Sequence, residues 1–244
     1  MNVWIENRTK GAVRYGELMK VVKALNVQVD RDFRKHWDTS AKIRYRREQN
    51  IDLQPERDAV IYLQKEADSQ EDVFGYHSLH DRGIPFGVVF TDVSTALGEP
   101  WSTTLSHEVL ELIMDPEINL FAVGPHPVHH KRTVMHWYEM CDAVQTEVYE
   151  IQGVLVSNFV LPLYFTPGEE SFSKSNNFLG SPLSSFSVRP GGYIGYYDPL
   201  VGEHETYAQR GDRRARERLS KKNRVAAARR GGRYQTLFSK GGGR

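Results

Sequence analysis

TTLSHEVLELIMDP, residues 103–116, is the stretch on which the reading of this chain turns. It holds no Gly and no Pro before Pro116, its apolar residues recur at helical spacing, and Ser and Thr hydroxyls near its start can cap a first turn. The spacing predicts a helix of about three turns over Thr103–Met114, shut by Pro116. At about 100° per residue, with Leu105 at zero, Val109, Leu112 and Ile113 share one arc, and Leu110 and Met114 extend it round the back. Only a narrow wedge is polar. It holds His107 at about 200°, Glu111 at about 240°, Asp115 at about 280° and Glu108 at about 300°. A helix apolar round most of its circumference is buried on most sides, so the wedge is expected to face a cleft or an internal site.

Three carboxylates on one stripe repel one another. Protonation of one acid, a nearby Arg or Lys, or a bound divalent cation would offset that repulsion. The cation is the sharper expectation. His107 and Glu111 stand at i and i+4, the spacing by which HExxH helices present two zinc ligands around an intervening Glu base. Here the second ligand would be a carboxylate.

The surroundings of the helix extend the pattern. SHEVLELIMDP (106–116), GYH (75–77) with GIPFGVVF (83–90), YEMCDAVQ (138–145) and VSNFVLPLYF (156–165) follow one another in an order and spacing that resembles the zincin-like HExxE metallopeptidases of bacteria and their phages, over residues 59–200. The resemblance implies a zincin-type fold and a zinc ion. Carried over by position, it makes His107 and Glu111 ligands and Glu108 the base that takes a proton from a metal-activated water. Catalytic zinc takes three protein ligands and keeps one position open, and Glu139 or Asp142 of YEMCD is the expected third, the other orienting His107. The alternative for both acids is a solvated strand end or an ion pair with an Arg. Asp115 is a weaker candidate, about 12 Å along the helix axis from His107. His77, His136 and Tyr138 are candidate donors to an oxyanion. A carboxylate in place of the second His lowers the charge of the site and makes zinc a weaker Lewis acid.

Outward from this helix, strands are expected at 2–8, 42–46, 59–64 and 86–93, the last at a sheet edge or beside a cleft because glycines surround it. Helices are expected over Val13–Ala24 and Arg31–Trp37, and a hairpin joined at Gly153 within 147–161. Residues 189–199, RPGGYIGYYDP, read as aromatic loop and turn, and GPHPVHHKRTVMH (124–136) as a surface loop with solvated histidines. The architecture expected is one α+β zincin-like domain over residues 1–208, a mixed sheet packed on the active-site helix, followed by an extended basic tail over 209–244.

Composition bounds the remaining possibilities. Of 244 residues, 39% are apolar and 26% charged, enough to bury a full core. The longest apolar runs fall far short of the roughly 20 residues that cross a bilayer, and no secretory segment follows Met1, so a cytoplasmic protein, or a virion component if phage-encoded, is expected. Cys141 is the single cysteine, which excludes an intramolecular disulfide and a four-cysteine zinc site. It reads as a small buried residue beside the site. The net charge of +1 hides an asymmetry, because residues 209–244 hold 13 Lys and Arg against two acids. That tail, with Arg213, Arg214, Arg216, Lys221, Lys222, Arg224, Arg229 and Arg230, is expected to contact nucleic acid or acidic neighbouring subunits, or to remain solvated. Two functions follow: a zinc-dependent hydrolase acting on peptide or protein, or a phage virion or assembly protein that keeps the zincin fold as a scaffold and binds through its tail.

Overall fold

The computed structural model describes residues 1–47, 53–55, 57–65, 75–80, 82–96, 98–167 and 176–212. These form a mixed α+β structure built on two main sheets and a hairpin. The first sheet has the order β2 (Lys42–Arg46), β1 (Asn2–Arg8), β3 (Asp58–Gln64), β5 (Pro85–Phe90), β4 (Gly75–Leu79). Its first four strands are mutually parallel, and β4 runs antiparallel to β5 at the edge. β5 is therefore an inner strand, which removes the edge position from the two placements its glycines suggested, and it ends at Phe90. Thr91 opens a short helix, α3 (Thr91–Ala96), in which Ser94 and Thr95 hydroxyls donate to the carbonyls of Phe90 and Thr91. Such local bonds to the backbone favour a turn over continued strand.

Two helical segments connect β1 to β2. In α1 (Tyr15–Val27), Leu18, Val21, Val22 and Leu25 are buried, as their spacing requires. The chain continues through a wide π-helical turn, Gln28–Phe33, into α2 (Arg34–Trp37), where the sequence predicted one regular helix.

The decisive helix, α4, spans Trp101–Met114. It begins behind Pro100, whose extended backbone (φ −62°, ψ 131°) takes the cap position without a side-chain cap, so the expected Ser or Thr cap is absent. Thr103 Oγ1 donates instead to the Pro100 carbonyl at 2.7 Å. The helix ends where Asp115 leaves helical geometry ahead of Pro116. It lies against β4, β5 and the hairpin strand β9 (Val154–Ser157). Leu105, Val109, Leu110 and Leu112 are fully buried in the main core with Val3, Ile5, Ile61 and Val89 of the sheet. Burial of each such side chain contributes about 1.5–3 kcal/mol.

The second sheet is antiparallel, in the order β11 (Glu203–Ala208), β10 (Tyr193–Asp198), β7 (Thr133–Trp137), β6 (Phe121–Pro125). Two expectations are corrected here. Of the expected loop 124–136, residues 126–132 are a connecting loop while 124–125 and 133–136 belong to β6 and β7, and 193–198 form an inner strand. β8 (Val148–Ile151) and β9 (Val154–Ser157) make the expected hairpin, turning at Gln152 and Gly153, both with positive φ (52° and 80°) as a tight two-residue turn demands. Gln209 and Asp212, assigned to the tail by composition, bond back to Val188 O and Gly191 N. The expected contact residues Arg213 to Arg230 lie outside the described residues.

Candidate metal centre

The polar wedge of α4 is buried, as its helical arithmetic predicted: His107 is 6%, Glu108 4% and Glu111 2% exposed. The helix is held in place by its own polar side chains. Ser106 Oγ donates to Gln28 Oε1 (2.8 Å) and accepts from the Ser157 amide (2.9 Å), while Ser102 Oγ donates to the Leu155 carbonyl. These bonds fix α4 against β9 and the turn after α1, and so fix the direction in which His107 and Glu111 point.

Opposite the wedge lies the segment that leaves β7, residues 139–142, entering a 3-10 turn at Asp142–Val144. The structure brings it onto the helix. His107 Nε2 lies 3.1 Å from Glu111 Oε1 and 3.2 Å from Asp142 Oδ1. The Cys141 amide donates to Glu111 Oε1 at 3.2 Å. Glu139 is close enough to oppose ionisation of Glu111. One imidazole nitrogen thus faces two carboxylate oxygens, and it has a single proton with which to satisfy them.

The electrostatics follow from crowding acids in a dry site. Burial is the largest influence on Glu111 and pushes its carboxyl up to about 8, with Glu139 and Asp142 adding to the rise and His107 opposing it. His107 is raised well above the ordinary imidazole value: burial pulls it down, but Glu111 and Asp142 outweigh that. Burial first, then Glu111, Asp142 and Glu108, hold the Cys141 thiol protonated. Without an ion the site therefore keeps protons that free side chains would release at neutral pH.

One member was missed by sequence reasoning. Tyr193, at the start of β10, is fully buried, and its hydroxyl hydrogen-bonds Asp142 and feels Glu111 and Glu108. Gly192 makes this approach possible, since a Cβ there would meet the Ala143 carbonyl oxygen at 2.3 Å. The adjacent glycines in RPGGY were the available signal for a close backbone contact.

His136, Tyr138 and Asp115 are placed elsewhere. His136 is in the second sheet, with Nε2 2.9 Å from the Pro125 carbonyl and its ring 4.6 Å from Phe186. Burial lowers it to about 4, so it is neutral. Tyr138 packs on Phe165 and Trp37 in an aromatic cluster. His77 pairs with Gly87 on the edge strand beside α4. Asp115 accepts the Asn119 and Leu120 amides and organises the turn after the helix. His129 and His130 are exposed as expected, whereas His126 is buried and its Nδ1 accepts the Val128 and His129 amides.

The donor set fits a divalent ion. It offers an imidazole nitrogen, carboxylate oxygens and a thiol, all buried, and a cation would take the place of the protons these groups retain. No protein-family model, no curated protein and no solved structure matches the chain. No helix among the described residues is long and apolar enough to cross a membrane.

Proposed function

We propose that the protein is a metal-dependent hydrolase, with zinc as the ion and a peptide or protein as the substrate. The observation that carries this reading is the convergence of Glu111 and Asp142 on one nitrogen of His107, among buried side chains that include Glu108. The substrate class and the zincin-like character of the fold rest on the sequence resemblance. The mixed sheet, with α4 packed against its antiparallel edge strand, is compatible with both.

In this reading His107 and Glu111 hold the ion and the segment 139–142 completes its shell. Zinc, when bound, would polarise a carbonyl and ease deprotonation of water. Glu108, next to His107 in the chain and close enough to act electrostatically on Cys141 and Tyr193, would accept the proton and pass it to the leaving group. Tyr193 fixes Asp142 through its hydroxyl, and the buried walls exclude bulk water.

The test is elemental analysis followed by turnover. Wild-type protein should carry near-stoichiometric zinc, and His107→Ala and Glu111→Ala should lose it at equal folded concentration. Glu108→Gln should keep the metal while hydrolysis of a peptide library falls by roughly 100-fold or more. Wild-type protein that takes up no metal when zinc is supplied would overturn the reading.

A further inference from the structure

We infer that the third protein donor to this metal is the sulfur of Cys141, rather than either of the acids that flank it in YEMCD. The inference rests on the metal reading above and sharpens it from an oxygen-rich site to a His107, Glu111, Cys141 centre for a thiophilic divalent ion.

The geometry singles out this trio. Among the described residues, His107, Glu111 and Cys141 are the one group of three such side chains whose donor atoms all lie within 4.8 Å of one another. Donor atoms around a zinc ion with bonds of about 2.0–2.3 Å stand roughly 3.3–3.8 Å apart, so the trio closes on an ion through side-chain adjustments of about 1 Å. The backbone already ties the two ligand-bearing elements together at this point, since the Cys141 amide donates to the Glu111 oxygen. Asp142 approaches His107 but also takes the hydrogen bond of Tyr193.

The chemistry agrees. A neutral imidazole, one carboxylate and one thiolate supply two negative charges directly to a divalent cation, which would draw the proton from the buried thiol. Three protein donors also leave the fourth tetrahedral position for water or substrate, as hydrolysis needs. Thiolate ligation selects zinc or cobalt over magnesium, calcium or manganese. Cys141 is 0% exposed, so the sulfur is poorly placed for attack on a substrate, yet it borders the donor atoms of α4. The sequence marks Cys141 as a small buried residue beside the site, with nothing nearby to make it a nucleophile and no second cysteine for a disulfide or a four-cysteine site. A mixed site needs only one.

Cobalt(II) substitution of the full chain tests the inference. The wild-type spectrum should show visible bands of a tetrahedral ion together with a near-ultraviolet sulfur-to-cobalt charge-transfer band. Cys141→Ser and Cys141→Ala should lose the charge-transfer band and bind cobalt more weakly by more than the roughly 10- to 100-fold that loss of an outer partner costs. Asp142→Asn and Glu139→Gln should retain the band. Wild-type protein with visible cobalt bands and no charge-transfer band would overturn the cysteine assignment while leaving the metal reading standing, and this result needs no variant to fold. Absence of any cobalt uptake would overturn both.

Discussion

A single hydroxyl shows how the site depends on residues distant in sequence. Tyr193 donates to Asp142, which in turn lies 3.2 Å from His107 Nε2, so a residue of β10 helps to orient that carboxylate. Tyr193→Phe removes the donor and leaves a buried carboxylate oxygen without it. The expected cost is about 1–3 kcal/mol in urea unfolding of the metal-free protein, with an unchanged far-ultraviolet spectrum. Equal midpoints for the two proteins would mean that the hydroxyl does no work on Asp142. At this scale the sequence was informative where periodicity spoke and silent elsewhere. His107, Glu108 and Glu111 were legible because one helix puts them on one stripe. Tyr193 was not, because its partner is 51 positions away in sequence and only the sheet topology joins them.

At the scale of elements, α4 is oriented by a small polar lock rather than by its apolar face alone. Ser106 Oγ serves the Ser157 amide and Gln28 Oε1 at once, all three residues being buried. Ser106→Ala leaves a buried amide and a buried side-chain oxygen unserved, so stability should fall by about 1–3 kcal/mol by denaturant titration. Metal affinity should weaken with it, because the face carrying His107 and Glu111 loses its register on β9. A variant with wild-type affinity and stability would show that apolar packing alone holds the helix. The same distinction between local and non-local control explains which elements were legible. β2 was read at its observed bounds, and α1 and α4 within a few residues, because their side chains follow one period. β7 and β10 were read as loops, since the His- and Pro-rich run before β7 and the RPGG before β10 carry turn signals. What makes strands of them is pairing with each other, Tyr196 against His136, and that pairing has no local signature.

For the whole molecule, the site sets the pH dependence of folding, and the sign can be worked out. Burial raises Glu111 from 4.5 to about 8, and the acids around His107 raise it well above 6.5. Both native values exceed the unfolded ones, so the metal-free native state holds protons that the unfolded chain releases. Stability contributed by Glu111 is complete below about 4.5 and is lost as pH rises toward about 8; that contributed by His107 is complete below 6.5 and is lost as pH climbs through its raised native value. The melting temperature of metal-free protein should therefore fall by several degrees between mildly acidic and mildly alkaline solution. Zinc bound as proposed should reverse the trend, because its ligands bind deprotonated and its affinity grows with pH. The gap between zinc-loaded and metal-free melting temperatures should widen steadily with pH. Glu111→Gln removes this titrating acid and should flatten the metal-free slope while abolishing the zinc response. A metal-free melting temperature that rises over the same interval would contradict the sign of both shifts. It would mean that the buried stripe is already neutralised by a cation from the protein itself.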